Sequence, residues 1–425
     1  MPSRKHSSVL RHTPDFHKNE QMQTEKGKDI VILDNVIIGN NHLIINSSML
    51  EIARQLLDGQ QGKVRYYSDP SHSESVVALL PEAYKNTFAF NAIPVIHPGG
   101  RGFEKIALWR KKLYLDSRYF KKVCKDVAHT KPQLFLITTM IPFNLYRFLS
   151  KLNTLKNQQV LIILHGELEA VFCNNPSLTA RINGYFYKKI LKKAGNNIKF
   201  LVLSDYIKDS LANKKLIGQD RLISINHPLS EYQRKNLTVS GPVVFSHLGV
   251  ANKRKNSSVI FDLARETFQE LPKDALQFNI IGRVDLYGAD YSKPDFVTIK
   301  SKHNQSISQE EYISFIEASH YSLIFLDNTE YVYRISGSVL DSVQYQLPLI
   351  ALEHPFINEL FEKGGDIGFL CKDLEEMKQV VLRLAQKDPL YSSRYETQII
   401  NLRKLAAKFY SGNVAEIISK AIKPA

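Results

Sequence analysis

Two groups of side chains have the types and spacing to meet a phosphorylated ligand, and a third stands where chemistry would be done. Lys253, Arg254 and Lys255 stand in a row shortly after the apolar run Val243–Leu248 and Gly249. A helical pattern carrying Val259, Phe261, Leu263 and Ala264 follows them. Consecutive cations in a strand-to-helix loop suit a diphosphate, and their plainer reading is a solvated basic loop. Further on, Ser336-Gly337-Ser338 opens a helix, with Ser338 expected as its N-cap and Asp341 just inside it. A helix start offers free backbone N–H groups and the positive end of the helix dipole, a seat for phosphate. Asp341 either reaches a ligand or, at capping-box spacing from Ser338, caps its own helix. The third group, His165-Gly166-Glu167, ends the apolar run Val160–Leu164. In an open parallel sheet that end of a strand faces the ligand crevice, so His165 and Glu167 are the candidate catalytic pair. Their plainer readings are a hydrogen-bonded structural histidine and a solvated loop carboxylate.

The elements that must position these groups follow a strand–turn–helix rhythm. Apolar runs at Asp29–Ile38, Val64–Tyr67, Leu134–Thr138, Val160–Leu164 and Phe200–Ser204 alternate with helical patterns. The first helix is expected at Met49–Leu57, with Ser48 and Glu51 as a capping box. Ser204 is expected to cap the helix after its strand. A polar linker, Glu231–Gly241, separates this half from a second one in which the rhythm restarts at Val243. There Phe278–Ile281 precedes Gly282-Arg283, and Ser308 with Glu311 forms a capping box before the run Tyr321–Leu326. The expected division is a polar tail at 1–28, a first domain at 29–230, a second at 242–393 and a long helix at 394–425 that Gly412 interrupts. Such alternation predicts two doubly wound α/β domains with a ligand cleft between them.

Composition narrows the partner. The 425 residues carry a net charge of +14 and a pI near 9.4, which calls for an anionic one. No zinc-finger spacing or aromatic RNA-binding signature is present, so nucleic acid is disfavoured. Two stretches interleave cations with aromatics: Phe103–Asp126, which holds Trp109 and Tyr114, and Tyr185–Lys199. A basic amphipathic helix of this kind lies on an anionic membrane, or else buries its aromatics in a core and solvates its charges. No run approaches the ~20 apolar residues of a membrane span, and the polar start of the chain lacks a signal peptide. Cys124, Cys173 and Cys371 have no metal-like spacing, which fits a reducing cytosolic setting.

From Val243 to Gly368 above all, the sequence resembles the GT-B glycosyltransferases, in particular the retaining "family four" type (glycosyl transferases group 1). The Gly249 loop ending in Lys255 is similar to the family's loop whose basic residue contacts the donor diphosphate. Val250 stands where the family usually has arginine, and Arg254 is a substitute for it. Arg334 through Asp341, followed by Gln346-Leu347-Pro348, resembles the donor-binding helix and the strand after it. Asp341 falls at the second of the family's two spaced glutamates, the one that holds the ribose hydroxyls, and Tyr333 falls at the first. Arg283, Ser336, Gly337 and Ser338 complete the donor group. The resemblance implies GT-B folding, with the C-terminal helix crossing back to the first domain. It also implies transfer of a sugar from a nucleotide-diphosphate donor with retention, and no metal or other cofactor. The acceptor is then a glycan or a polyprenyl-diphosphate-linked sugar of bacterial surface polysaccharide synthesis, met in the cytoplasm at the inner membrane face. The alternative is a catalytically silent GT-B relative that binds a glycan or a protein partner.

Overall fold

The computed structural model describes residues 29–422, apart from 40–41, 58–61, 98, 100–101, 173–176, 236–240, 273, 287–295, 302–304, 306 and 327–330. The expected tail, Cys173 and parts of the loops around 97–102, 236–241 and 327–330 lie outside the described residues. Among those described, the first domain holds seven strands: β1 (Ile30–Asp34), β2 (Val64–Ser68), β3 (Phe88–Ala92), β4 (Leu134–Thr139), β5 (Gln159–Ile163), β6 (Ile198–Val202) and β7 (Leu222–Ser224). They pair in parallel in the order β3-β2-β1-β4-β5-β6-β7. Parallel strands are covered on both faces, so their residues are mostly apolar; all five of β1 and all six of β4 are buried, with the polar Asp34, Thr138 and Thr139 at their C-terminal ends. One face packs against Phe120, Val123, Leu145 and Phe148, the other against Met49, Ile52 and Val76.

The second domain repeats the plan with β8 (Val243–Leu248), β9 (Ala251–Asn252), β10 (Leu276–Ile281), β11 (Val284–Asp285), β12 (Val297–Ile299), β13 (Tyr321–Ile324), β14 (Leu349–Leu352) and β15 (Gly368–Cys371). Its main sheet runs β12-β10-β8-β13-β14-β15, while β9 and β11 pair separately. Each large sheet changes direction of growth once, between β1 and β4 and between β8 and β13. Crevices open at such switch points, at the C-terminal strand ends.

The chain passes between the domains twice, and both passages lie side by side: Leu229 bridges Tyr410, and its N–H donates to the Phe409 carbonyl at 3.0 Å. After the first passage, Arg234 is fully buried in the second domain and donates to the Ile316 and Ser319 carbonyls. The segment expected as a polar linker is therefore anchored near its start. The C-terminal pattern is two helices, Tyr395–Ala407 and Ser411–Ile422. The break falls before Gly412, not at it. Tyr395 and Ile399 belong to the second domain's core, whereas Val414, Ala415 and Ile418 complete the first domain's.

Several local expectations need correction. The first helix spans Leu43–Leu56, so Ser48 is buried mid-helix and makes no capping box; Glu51 instead accepts from Ser411 Oγ at 3.1 Å. The stretch expected at Tyr185–Lys199 is a helix at Leu178–Lys193 followed by β6. Ser204 does cap its helix, accepting from the Ile207 N–H, and the Ser308–Glu311 capping box is present.

Candidate functional site

A cleft of about 650 Å³ lies between the two sets of strand ends. Its second-domain wall begins where β8 turns at Gly249, with φ +73°, a left-handed conformation natural to glycine. Gly282, with φ +143°, backs directly onto it: a Cβ there would stand 2.2 Å from the Gly249 carbonyl oxygen. The basic loop is then braced. The Asn252 side chain accepts from the Lys255 N–H at 3.0 Å, and the Asn252 N–H donates to Ser257 Oγ at 3.0 Å. Ser257 in turn pairs with Nε2 of the buried His247 at 2.9 Å, while His247 Nδ1 donates to the Leu323 carbonyl. Burial beside Lys255 pushes His247 down to about 3, so it is a neutral brace.

The loop thus folds Lys255 inward, buried against Gly249. Burial lowers its pKa, and the nearby Asp341 carboxylate opposes that shift. Asp341 sits in the helix Gly337–Gln344 and accepts from Tyr312 Oη at 2.7 Å. Burial pushes its carboxyl up to about 6, against the pull of Tyr312 and Lys255. The helix starts two residues earlier than expected: Ser336 is the N-cap and Ser338 lies inside, the two hydroxyls pairing with each other at 3.0 Å. Asp341 is thereby freed from a capping role, because Tyr312 takes it instead. A Cβ on Gly337 would meet only open space, so the helix start is unobstructed toward the cleft.

The first-domain wall carries three histidines, His42, His165 and His227. His165 Nε2 lies 2.9 Å from the Thr138 carbonyl, which only accepts, so Nε2 carries the proton and Nδ1 is the ring's acceptor. Burial, helped by His42, pushes its pKa down to about 4. The His42 ring meets it edge-on at 5.5 Å. His227 is pushed down to about 4 by burial as well and donates from Nδ1 to the Pro228 carbonyl. Glu167 is in the short turn Gly166–Leu168, and its side chain lies outside the described part.

The two walls are tied by a carboxylate that the sequence reading missed. Glu169 Oε2 accepts from Arg254 at 2.9 Å and pairs with Arg334 at 3.2 Å. Both guanidinium groups also lie over the Tyr331 ring, at 5.3 and 5.8 Å. Arg334 fills the space beside Gly166, where a Cβ would stand 2.3 Å from its Nε. Tyr333 packs between Phe172 and Tyr206 of the first domain, its ring centroid 4.2 and 6.1 Å from theirs. Arg283 lines the cleft and pairs with Asp285 at 2.7 Å. Of the predicted residues, His165, Lys255, Arg283, Arg334 and Gly337 line the cleft; Gly249, Arg254, Ser336 and Ser338 are next in the chain to lining residues, and Asp341 lies near Lys255.

No protein-family model and no curated protein matches the sequence. Solved structures do match in shape. The crystal structure of TarM superposes with a TM-score of 0.64 at 11% identity, over 95% of this chain and 100% of that one. A glycosyltransferase from Rickettsia africae ESF-5 gives 0.58 at 11%, over 94% and 100%. The pneumococcal O-GlcNAc transferase GtfA, in complex with UDP and GlcNAc, gives 0.57 at 11%, over 93% and 98%. At such identities the likeness is one of fold, and the fold is GT-B: two Rossmann-like domains facing a cleft, with the last helix returned to the first domain.

Proposed function

We propose that this protein is a retaining glycosyltransferase of the "family four" type, acting on a nucleotide-diphosphate sugar. The observation that carries the reading is the nearness of a buried lysine, Lys255, and a buried carboxylate, Asp341, to an open helix start at Gly337. A nucleoside diphosphate needs both a cationic seat and a carboxylate for its ribose. In this reading Lys255, Arg254, Arg334, Arg283 and the helix N-terminus meet the charge that builds on the leaving diphosphate, the task a divalent cation would otherwise fill. No metal or other cofactor is required. Asp341 receives the ribose hydroxyls. Neutral His165, with Nδ1 as acceptor, orients the sugar or the incoming hydroxyl, and Glu167 stands beside it in the same turn. The acceptor is a glycan or a polyprenyl-diphosphate-linked sugar, met in the cytoplasm at the inner membrane face during bacterial surface polysaccharide synthesis.

A thermal-shift screen against nucleoside diphosphates and nucleotide sugars tests this, starting with UDP because the similar transferase GtfA binds it. The wild type should be stabilised, and Lys255→Ala and Asp341→Ala should each lose affinity by about tenfold or more, the worth of one charged hydrogen bond. Unchanged affinity in both variants overturns the site. One observation favours a second reading, a silent relative that binds a glycan or a partner. Glu169 already neutralises Arg254 and Arg334, and Tyr333 is committed to packing. A wild type that binds a glycan but no nucleotide would establish it.

A further inference from the structure

The helix Gly102–Thr130 is longer than its sheet requires. Its 29 residues span about 43 Å at 1.5 Å per residue, whereas strands of five or six residues span roughly 17–20 Å. Its C-terminal half does the packing: Phe120, Val123, Cys124 and Val127 are in the core. Its first three turns overshoot. Among residues 103–111, Leu108 is half-buried and all the others are exposed. Phe103 is 91% exposed, Ile106 58% and Trp109 39%, with Tyr114 at 66% one turn on. A globular helix buries its apolar residues; this end leaves them in water.

A second helix start shares the feature. Leu178 is 69% exposed, and Ile182 and Tyr185 are exposed with it. The helix Pro142–Asn153 links the two, since its Asn144 bonds Asp116 of the long helix and its Phe143 meets Phe186 edge-on at 5.1 Å. All three helices precede a parallel strand, so their N-termini lie at the C-terminal strand ends, the end that holds the cleft. The charges on this edge are of one sign apart from Glu104. Lys105, Arg110, Lys111 and Arg118 are exposed on the long helix, Arg181 and Lys188 on the other, and the helix Leu178–Lys193 contains no acidic residue. No helix among the described residues is long and apolar enough to cross a bilayer.

We propose that this edge is a docking surface for an anionic lipid bilayer, with the overshooting turns of Gly102–Thr130 seated at the headgroup–acyl boundary. Exposed aromatic and aliphatic tips flanked by cations are what a negatively charged interface takes up. The cleft mouth then faces the membrane, where a lipid-borne acceptor is found. The inference deepens the acceptor half of the function proposed above. Its test needs no sugar transfer, so either can fail alone.

Trp109 is the chain's one tryptophan and lies on this edge, so the full-length protein carries its own probe. Its emission should shift to the blue with phosphatidylglycerol–phosphatidylcholine vesicles, return as salt is added, and stay put with phosphatidylcholine alone. In co-sedimentation, Phe103→Ser with Ile106→Ser should weaken binding by about tenfold or more, as loss of inserted apolar surface requires. Leu390→Ser, at a 75% exposed site on the second domain, should leave binding intact. The proposal is overturned by an unmoved spectrum with anionic vesicles, or by equal binding to neutral ones. It is also overturned if the paired serine variant, with an unchanged melting temperature, still binds. A blue shift that grows with protein concentration without lipid overturns it too, because the edge then closes on a second copy.

Discussion

Asp341 sits in an environment at odds with its ordinary chemistry. Its carboxyl titrates at about 6 in the folded chain against an ordinary value of 3.8, because burial opposes the charge. As pH falls, the folded state therefore takes this proton before the unfolded state does. The buried charge costs stability above pH 6, and the cost is gone below about pH 4. Asp341→Asn should accordingly raise the melting temperature of the ligand-free protein at pH 7.5 by a few degrees, at about 2–4 °C per kcal/mol. The gain should vanish by pH 4, and a gain that does not change with pH would sink this account. Stability is being surrendered where a ligand is expected to restore it. Lys255 and Gly249 were legible in the sequence because a loop between a strand and a helix declares itself locally. Asp341's partner was not: Tyr312 lies 29 residues upstream and carries no signal pointing to it.

At the scale of elements, the short helix Glu169–Phe172 couples the domains. Its first residue holds Arg254 and Arg334, and its last packs on Tyr333. A diphosphate competes with Glu169 for the same two guanidinium groups. Glu169→Gln should therefore raise nucleoside-diphosphate affinity severalfold by removing the competing charge. Titration calorimetry that finds weaker or equal binding would show that Glu169 organises the arginines instead of opposing the ligand. A second tie, from Glu359, accepts from Ser204 Oγ and the N–H groups of Asp205 and Tyr206, so a carboxylate of one domain caps a helix of the other. Neither tie is readable from spacing, since each joins residues 85 or more positions apart. Element boundaries failed for a nearer reason. Ser48 and Ser338 look like caps, but apolar periodicity already runs through Ile45 and Met49, and Ser336 is better placed to end its loop.

Across the whole molecule, burial holds several histidines neutral. His165, His227 and His320 are pushed down to about 4 and His247 to about 3, from an ordinary 6.5. The unfolded chain protonates these rings first, so stability is full above pH 6.5 and drains as pH falls toward 4. Asp341 works the other way, as do Glu51 and Asp116, whose carboxyls burial also pushes up, three carboxyls against four imidazoles. The melting temperature should fall steeply between pH 6.5 and 4.5, and a flat profile there would refute the burial of these rings. The two-domain plan was legible because alternating apolar runs and helical periods repeat along the chain, restarting at Val243. The relative placement of the halves was not, because it rests on few and distant contacts.

The return of residues 411–422 to the first domain sets a schedule for making this protein. Met49 and Ile52 wait for Val414, Ala415 and Ile418, which are synthesised after the entire second domain. Although it emerges first from the ribosome, the first domain closes last. Until then an apolar strip on its opening helix stays open, and this is the interval in which a nascent chain is most exposed to aggregation and most in need of a chaperone.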